Sequence, residues 1–454
     1  MTQMQCKRSA ARSEGRRRGV RLLPLALLLS AAAGWGVGPA QAGFYSPPEV
    51  RAIAFNAERA RALEAPVMLL AHRTDIYFSG YGQHARDEHW IWYVGDPQDP
   101  AAARIARPQV PLDLRLERFR LRHCRILRDA DTLALGTDEW SSGAIRGWPS
   151  GARSFYHAAE THLPPLQAGD LVEIAYTVEN RWSDRRMPVA WDTTPIREPD
   201  VPTLERSITY AYNPVLKGRV KVIGDTRKPV RHFGASRPRI DFLTGNLPPA
   251  DPKAAPLDRP RVLFTAHVVW SDVLDALQVH LPAELLRLER FLASPGDSLA
   301  HSARGSRARL DAVLEYAAQH YDVIPLPLAE SDYFAHEAST ILGASALPPL
   351  DRAVAIAALA AAARLQVQFY LARSGERAFD EDFPTPMHFD RILLRVELTE
   401  EDRALWIDPA FAADGLTAAE RAAEGQWLLV GVRREETRFY KRGPDGDLQP
   451  IPTP

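Results

Sequence analysis

Cysteine is nearly absent from this chain: its 454 residues hold two, Cys6 and Cys124. If the leading segment described below is removed, Cys6 goes with it, and a single remaining thiol can form no intrachain disulfide. An excess of charge of one sign is missing too. The 56 basic and 57 acidic residues nearly cancel, and nothing in that balance suggests the clustered cationic surface that displaces phosphate counterions on a nucleic acid. Long apolar runs are also lacking. The longest, residues 22–37 and 353–363, span 16 and 11 residues, short of the roughly 20 that cross a bilayer. No phosphate-binding loop and no dinucleotide fingerprint occurs, so no cofactor is expected. Proline, in contrast, is abundant at 37 residues. It disfavours a mostly helical bundle and points to many short strands joined by loops. With 46% hydrophobic residues, the chain has the composition of two or three globular domains.

The amino-terminal 42 residues carry seven basic side chains (Lys7, Arg8, Arg12, Arg16, Arg17, Arg18 and Arg21) and one acidic, Glu14. The 16-residue apolar run follows, and then Ala40-Gln41-Ala42. That is the tripartite plan of a cleaved secretory signal. Residues 1–42 are therefore expected to be removed after Ala42, leaving a periplasmic or secreted protein with no membrane span. No cysteine follows the cleavage point, which argues against a lipid anchor. The remainder carries 49 basic and 56 acidic residues, a net charge of −7.

From about residue 65 to 270, short segments rich in β-branched and aromatic residues succeed one another: 67–70, 89–94, 115–126, 171–178, 207–212, 220–223 and 262–270. Such a series suggests a β-sandwich. Residues 227–260, dense in proline and arginine, read as a long irregular connection. Cys124, inside one strand-like run, reads as a buried small hydrophobe. After Trp270 the period becomes helical, with Leu274, Leu277, Leu281, Leu285 and Leu288 recurring through Phe291. Ser294-Pro295-Gly296-Asp297-Ser298 predicts the end of that helix and a flexible stretch to Gly305. Helices are predicted over 306–320 and 350–366, and strands over 367–372, 389–398, 404–407 and 427–432. The chain thus reads as α+β. A β-sandwich domain with a trailing helix covers 43–296, a second α+β domain covers 305–437, and 438–454 form a carboxy-terminal tail.

Five features of the second half occur in a recognisable order. They are a helix ending at Tyr321 with Ile324 beyond, His336-Glu337-Ala338-Ser339-Thr340-Ile341-Leu342-Gly343, an Ala-rich helix, Phe389-Asp390-Arg391-Ile392-Leu393-Leu394, and Trp406-Ile407-Asp408-Pro409. In order and spacing this half resembles a bacterial transglutaminase-like domain of the papain type. The first half, through Leu166-Gln167-Ala168-Gly169-Asp170-Leu171-Val172-Glu173-Ile174-Ala175-Tyr176, is similar to the domain-of-unknown-function 3857 family that commonly precedes it in exported proteins. Such domains use Cys, His and Asp. A cysteine at a helix N-terminus has its thiolate stabilised by the helix dipole, a histidine on a neighbouring strand takes the proton, and an aspartate orients the imidazole.

Carried over residue by residue, the resemblance places Pro349 at the nucleophile's position, because Leu347-Pro348-Pro349-Leu350-Asp351 stands where the family has Gly-Asp-Cys-Lys-Asp. Arg391 takes the place of the base and Asp408 that of the third member. Proline supplies neither a nucleophile nor an amide hydrogen, and arginine stays protonated near neutral pH. The resemblance therefore implies a degenerate triad at Pro349, Arg391 and Asp408 with no intact catalytic set. No cysteine lies beyond Cys124 to restore it from another register.

Other candidates carry less. His388, three positions before Arg391, would face the opposite side of a strand and reads as a surface histidine at the strand's start. Ser345 reads as a loop serine without a base. His336-Glu337-Ala338-Ser339-Thr340 begins like a zinc-protease motif but lacks the second histidine four residues on. His84 with Asp87, Glu88 and His89, and His157 with Glu160 and His162, read as incidental surface clusters, so no metal is expected. Trp90 and Trp92 share one strand face and read as core or sheet-face residues, and Asp380-Glu381-Asp382 as a solvated loop. The expected function is an exported, non-catalytic binding or scaffolding protein with a protein, peptide or polysaccharide partner in the cell envelope. The alternative is a transglutaminase-like or peptidase-like hydrolase using a non-standard site around Asp408.

Overall fold

The computed structural model describes residues 60, 64–79, 84–113, 116–129, 131–180, 190–232, 237–251, 253–254, 258–324, 326, 328, 333–373, 380, 382–401, 403–423, 428–431, 439–442 and 447–450. The signal expected in residues 1–42 lies outside them.

Alternation of apolar and polar side chains builds the first half. In chain order it comprises β1 (Val67–Phe78), β2 (His84–Val94), the short helix α1 (Pro100–Ile105), β3 (Gln109–Asp113), β4 (Glu117–Arg128), β5 (Asp131–Ala134), β6 (Ser141–Gly143), β7 (Tyr156–Glu160) and β8 (Leu171–Asn180). There follow β9 (Trp191–Pro195), β10 (Thr203–Tyr212), β11 (Arg219–Ile223), β12 (Val230–His232), β13 (Arg239–Leu247) and β14 (Arg261–Thr265). Eight strands form one sheet in the order β12-β13-β10-β1-β2-β8-β4-β5, and two three-stranded sheets have the orders β3-β7-β6 and β11-β14-β9.

One face of the large sheet carries both small sheets, with apolar patches on either side of a buried polar strip of His72, Thr74, Glu88 and Arg206. Leu69, Trp92, Cys124, Val172 and Ile174 pack on Val110 and Leu112 of β3 and on Ala101 and Ile105 of α1. Farther along the same face, Ile76, Phe78, Ile208, Tyr210 and Phe242 pack on Val262 and Phe264 of β14. A bulge in β1 between Leu69 and Ala71 is what lets Leu69 and Ile76, at an odd separation, share that face. Residues 227–260 are not the irregular connection that their composition predicts. They contain β12 and β13, because their prolines flank the strands while Ile240, Phe242 and Leu247 supply buried positions.

The second half comprises α2 (Trp270–Phe291), α3 (Ala293–Ser302), α4 (Ser306–His320), β15 (Asp322–Val323), α5 (Ala338–Gly343), β16 (Ala346–Leu347) and α6 (Pro349–Ala362). Then come β17 (Gln366–Arg373), β18 (Arg391–Leu398), β19 (Arg403–Ile407), α7 (Leu416–Ala422), β20 (Leu428–Gly431), β21 (Phe439–Arg442) and β22 (Leu448–Pro450). The last six strands form a sheet ordered β19-β18-β17-β20-β21-β22, so residues within the stretch 438–454 extend it. Every residue of α6 from Leu350 to Ala360 is buried, with Leu274, Leu277 and Leu288 of α2, Leu310 and Leu314 of α4, and Ile392, Leu394, Val396 and Leu398 of β18 in the same core.

Residues 293–302, predicted to be flexible, are instead α3. Pro295 falls in the first turn, where the helix does not use its amide hydrogen. Gly296 lies so close to Ala362 that a Cβ would overlap it, so the Pro-Gly pair serves a helix crossing rather than a break. The fold is α+β and strand-rich, with several sheets. Among the described residues no helix is long and apolar enough to cross a membrane.

Cys124 is 2% exposed beneath this sandwich, and burial pushes its thiol up to about 12. Alkylation at pH 8 should therefore be slower in the folded protein than in denaturant by more than about 100-fold, measured by mass shift against time.

Candidate functional site

The residues carried over as a triad lie at the start of α6, at the start of β18 and just after β19. Pro348 is extended and Pro349 is the first residue of the helix, a position where proline's fixed φ and missing amide hydrogen cost nothing. Arg391 is the first residue of β18, and Asp408 follows directly after β19, its strand neighbour. The structure brings Arg391 and Asp408 together: Arg391 Nη1 donates to Asp408 Oδ2 at 2.9 Å. Asp408 Oδ1 accepts from the Ala410 amide at 3.0 Å. Burial pushes the Asp408 carboxyl up, opposed by the Ala410 amide and by the Arg391 charge. The guanidinium of Arg391 also lies 5.7 Å from the centre of the half-exposed Phe411 ring.

The helix that Pro349 begins is tied to the turn after Asp408. Arg352, fully buried one residue after Asp351, donates to the Pro409 carbonyl at 3.1 Å and to the Tyr321 carbonyl. The first turn of α6 and the turn after Asp408 are thereby joined. The resulting arrangement has a permanent cation, a carboxylate engaged by two donors and an aromatic plane. Of the three positions only Asp408 could take a proton, and both of its oxygens are already engaged by donors; Pro349 and Arg391 supply neither a thiol nor an imidazole.

Two histidines are placed differently from their sequence readings. His388 is not on the surface: it is 2% exposed, in a 3-10 turn (Pro386–His388) before β18 rather than on the strand, so strand parity does not apply to it. Its Nε2 lies 3.0 Å from the Phe383 carbonyl, and burial lowers it to about 4. His336 is likewise buried, at 6% exposure. Its backbone amide donates to Asp351 Oδ1 at 2.8 Å, its Nδ1 lies 2.5 Å from Asp351 Oδ2, and its Nε2 lies 3.2 Å from Asp113 Oδ2. Asp351 is on the first turn of α6, whereas Asp113 ends β3 and lies 223 positions before His336. The sequence held no local signal for that second partner.

The remaining clusters disperse. Strand alternation sends Glu88 to one face of β2, where Oε2 lies 2.7 Å from His72 Nε2 and accepts from Thr74 at 2.8 Å. His89 points to the other face and meets Glu173 at 2.7 Å. Burial alone would raise Glu88, but the His72 contact and the charges of His72, Arg86 and Arg206 hold it at about 2. His157 meets Ser142 at 2.9 Å, and Glu160 accepts from Gln109 at 2.5 Å. Among the described residues no three His, Cys, Asp or Glu side chains converge as a metal site. Trp90 and Trp92 pack edge to face at 6.0 Å against the same core. Asp380 is not simply solvated, since Lys221 of β11 pairs with it at 2.5 Å and Arg219 donates to the Asp382 carbonyl at 2.7 Å. Ser345 is exposed, and its carbonyl accepts from the Asp322 amide at 2.7 Å.

No family model matches the chain, and no curated protein does. Among solved structures, the chain is similar to the 2.00 Å crystal structure of a "putative protease" from Parabacteroides distasonis ATCC 8503. The TM-score is 0.63 at 11% identity, over 81% of this chain and 70% of that one. A likeness at that identity shows a shared fold alone. An M1 zinc metallopeptidase from Deinococcus radiodurans matches over 44% of this chain and 42% of its own, at 10% identity and a TM-score of 0.25, and carries no argument.

Proposed function

We propose that this chain is an exported, non-catalytic binding protein whose second half is a degenerate transglutaminase-like domain, and that the surface around Arg391 and Phe411 takes an extended peptide or polysaccharide in the cell envelope. The observation that carries the reading is the 2.9 Å pair of Arg391 and Asp408. An aspartate that would orient an imidazole is instead neutralised by a side chain that cannot take a proton. Pro349, at the start of α6, has no atom to attack a carbonyl. Phe411 beside Arg391 offers an apolar plane with a cation next to it, a combination suited to ligands with mixed polar and apolar faces. The competing reading, hydrolysis around Asp408, is favoured by the fold shared with the Parabacteroides protein.

Purified protein beginning at Gly43 should give no turnover with an unfolded protein substrate, or with a glutamine peptide and a primary amine. Turnover that disappears in Asp408→Asn would overturn the reading in favour of the hydrolase. Arg391→Ala should lower unfolding free energy in urea by about 1–3 kcal/mol, since it leaves a buried carboxylate short of a donor. The lower part of that range is expected because Arg391 is itself 37% exposed. Arg391→Lys should recover part of the loss. A change below about 0.5 kcal/mol in Arg391→Ala would mean that water already serves Asp408.

A further inference from the structure

We propose that His336 is a pH-sensitive latch between the strand-rich half and the helical half, closed while its imidazole carries both protons. The ring stands between carboxylates from the two halves: Asp351 of α6 at 2.5 Å from Nδ1 and Asp113 of β3 at 3.2 Å from Nε2. A neutral imidazole has one N–H. Its other nitrogen would then present a lone pair to a carboxylate, so both contacts are attractive together only when the ring is imidazolium. The ring is also fixed in place, with Phe155 edge-on at 4.6 Å and Tyr156 at 6.3 Å, and its backbone amide tied to Asp351.

The two contacts should not respond equally to loss of a proton. Asp351 is the shorter contact, and its other oxygen is already engaged by the His336 amide, so the remaining proton stays on Nδ1. Nε2 then faces Asp113 as an acceptor facing an acceptor, and the link to β3 is the one that opens.

The charged neighbours from the surrounding elements do not remove this dependence. From β4, Glu117 accepts the Asp113 amide hydrogen at 2.8 Å. Burial raises Glu117 to about 7, with the amide bond opposing and the Asp113 charge adding to the rise. From α2, Glu284 is engaged by the Ala338 amide at 2.9 Å and by Arg287 at 2.6 Å. Glu337 adjoins the ring's own residue, and Arg86 acts on Glu117 from β2. The sign follows from linkage. A histidine whose charged form is favoured in the folded state contributes stability that is fully present below its unfolded value of about 6.5 and is lost as pH rises beyond it. Glu117, raised above its unfolded value, loses its contribution in the same direction as pH rises through about 7, so a test needs a signal from His336 itself.

The test is an NMR titration of histidine ring carbons in the full-length mature protein, with His336 assigned through His336→Gln, alongside urea unfolding at pH 6 and pH 8.5. The expected result is a His336 signal that remains imidazolium above pH 7, and a folding equilibrium constant that falls at least about tenfold more in the wild type than in His336→Gln. If His336→Gln does not fold, Asp113→Asn replaces it, since an asparagine amide can donate to a deprotonated Nε2 and should flatten the pH dependence in the same way. A neutral His336 at pH 6, or an Asp113→Asn protein with the wild-type pH dependence, would overturn the proposal.

Discussion

A helix buried on every side is the constraint on which the second half depends. From Leu350 to Ala360 every residue of α6 is buried, and that is possible because alanine dominates its sequence. Small side chains let neighbouring elements approach closely, as Gly296 of α3 does at Ala362. The same core takes in Leu274 and Leu277 of α2, Leu310, Val313 and Leu314 of α4, and Ile392, Leu394 and Val396 of β18. Close packing of this kind tolerates little change in volume. It fixes where the first turn of the helix ends up, and with it Asp351 and Arg352.

Burying such a helix leaves its charged residues with few choices. Asp351 and Arg352 are both buried, and a buried charge must find partners or unfold the site around it. Asp351 turns to His336, and through it towards Asp113 in the other half. Arg352 turns the other way, to the carbonyls of Tyr321 and Pro409. The second contact holds the turn in which Asp408 lies, so Asp408 is presented to Arg391 by the same helix that Pro349 begins.

Much of this was legible in the sequence, and the parts that were not have definite causes. Helical spacing located Ser306–His320 to the residue, and β-branched runs located β8, β10, β18 and β19 closely. Composition misled where local rules met tertiary contact. Pro295 and Gly296 look like a helix stop, yet lie in a first turn and at a crossing. Residues 227–260 look like a loop, yet their alternating apolar positions complete the large sheet. The placing of Arg391 against Asp408 could be anticipated because one begins a strand and the other directly follows that strand's neighbour. His336 could not, since one of its partners is distant in sequence and a lone histidine before a short helix resembles many others. The burial of His388 was missed for a similar reason: a 3-10 turn, invisible to strand parity, sets its direction.

On the proposed reading, this fold keeps the positions of a Cys-His-Asp site after losing two of its groups. The direct measurement is the pH dependence of alkylation in the double variant Pro349→Cys with Arg391→His, where Cys124 stays silent because burial pushes it up to about 12. If the positions correspond, the introduced thiol, at the N-terminus of α6 and near the introduced imidazole, should react as a thiolate well below pH 8, and more slowly when Asp408→Asn is added. A thiol at position 349 that titrates like an ordinary cysteine near 8.5, unaffected by Asp408→Asn, would contradict the claim.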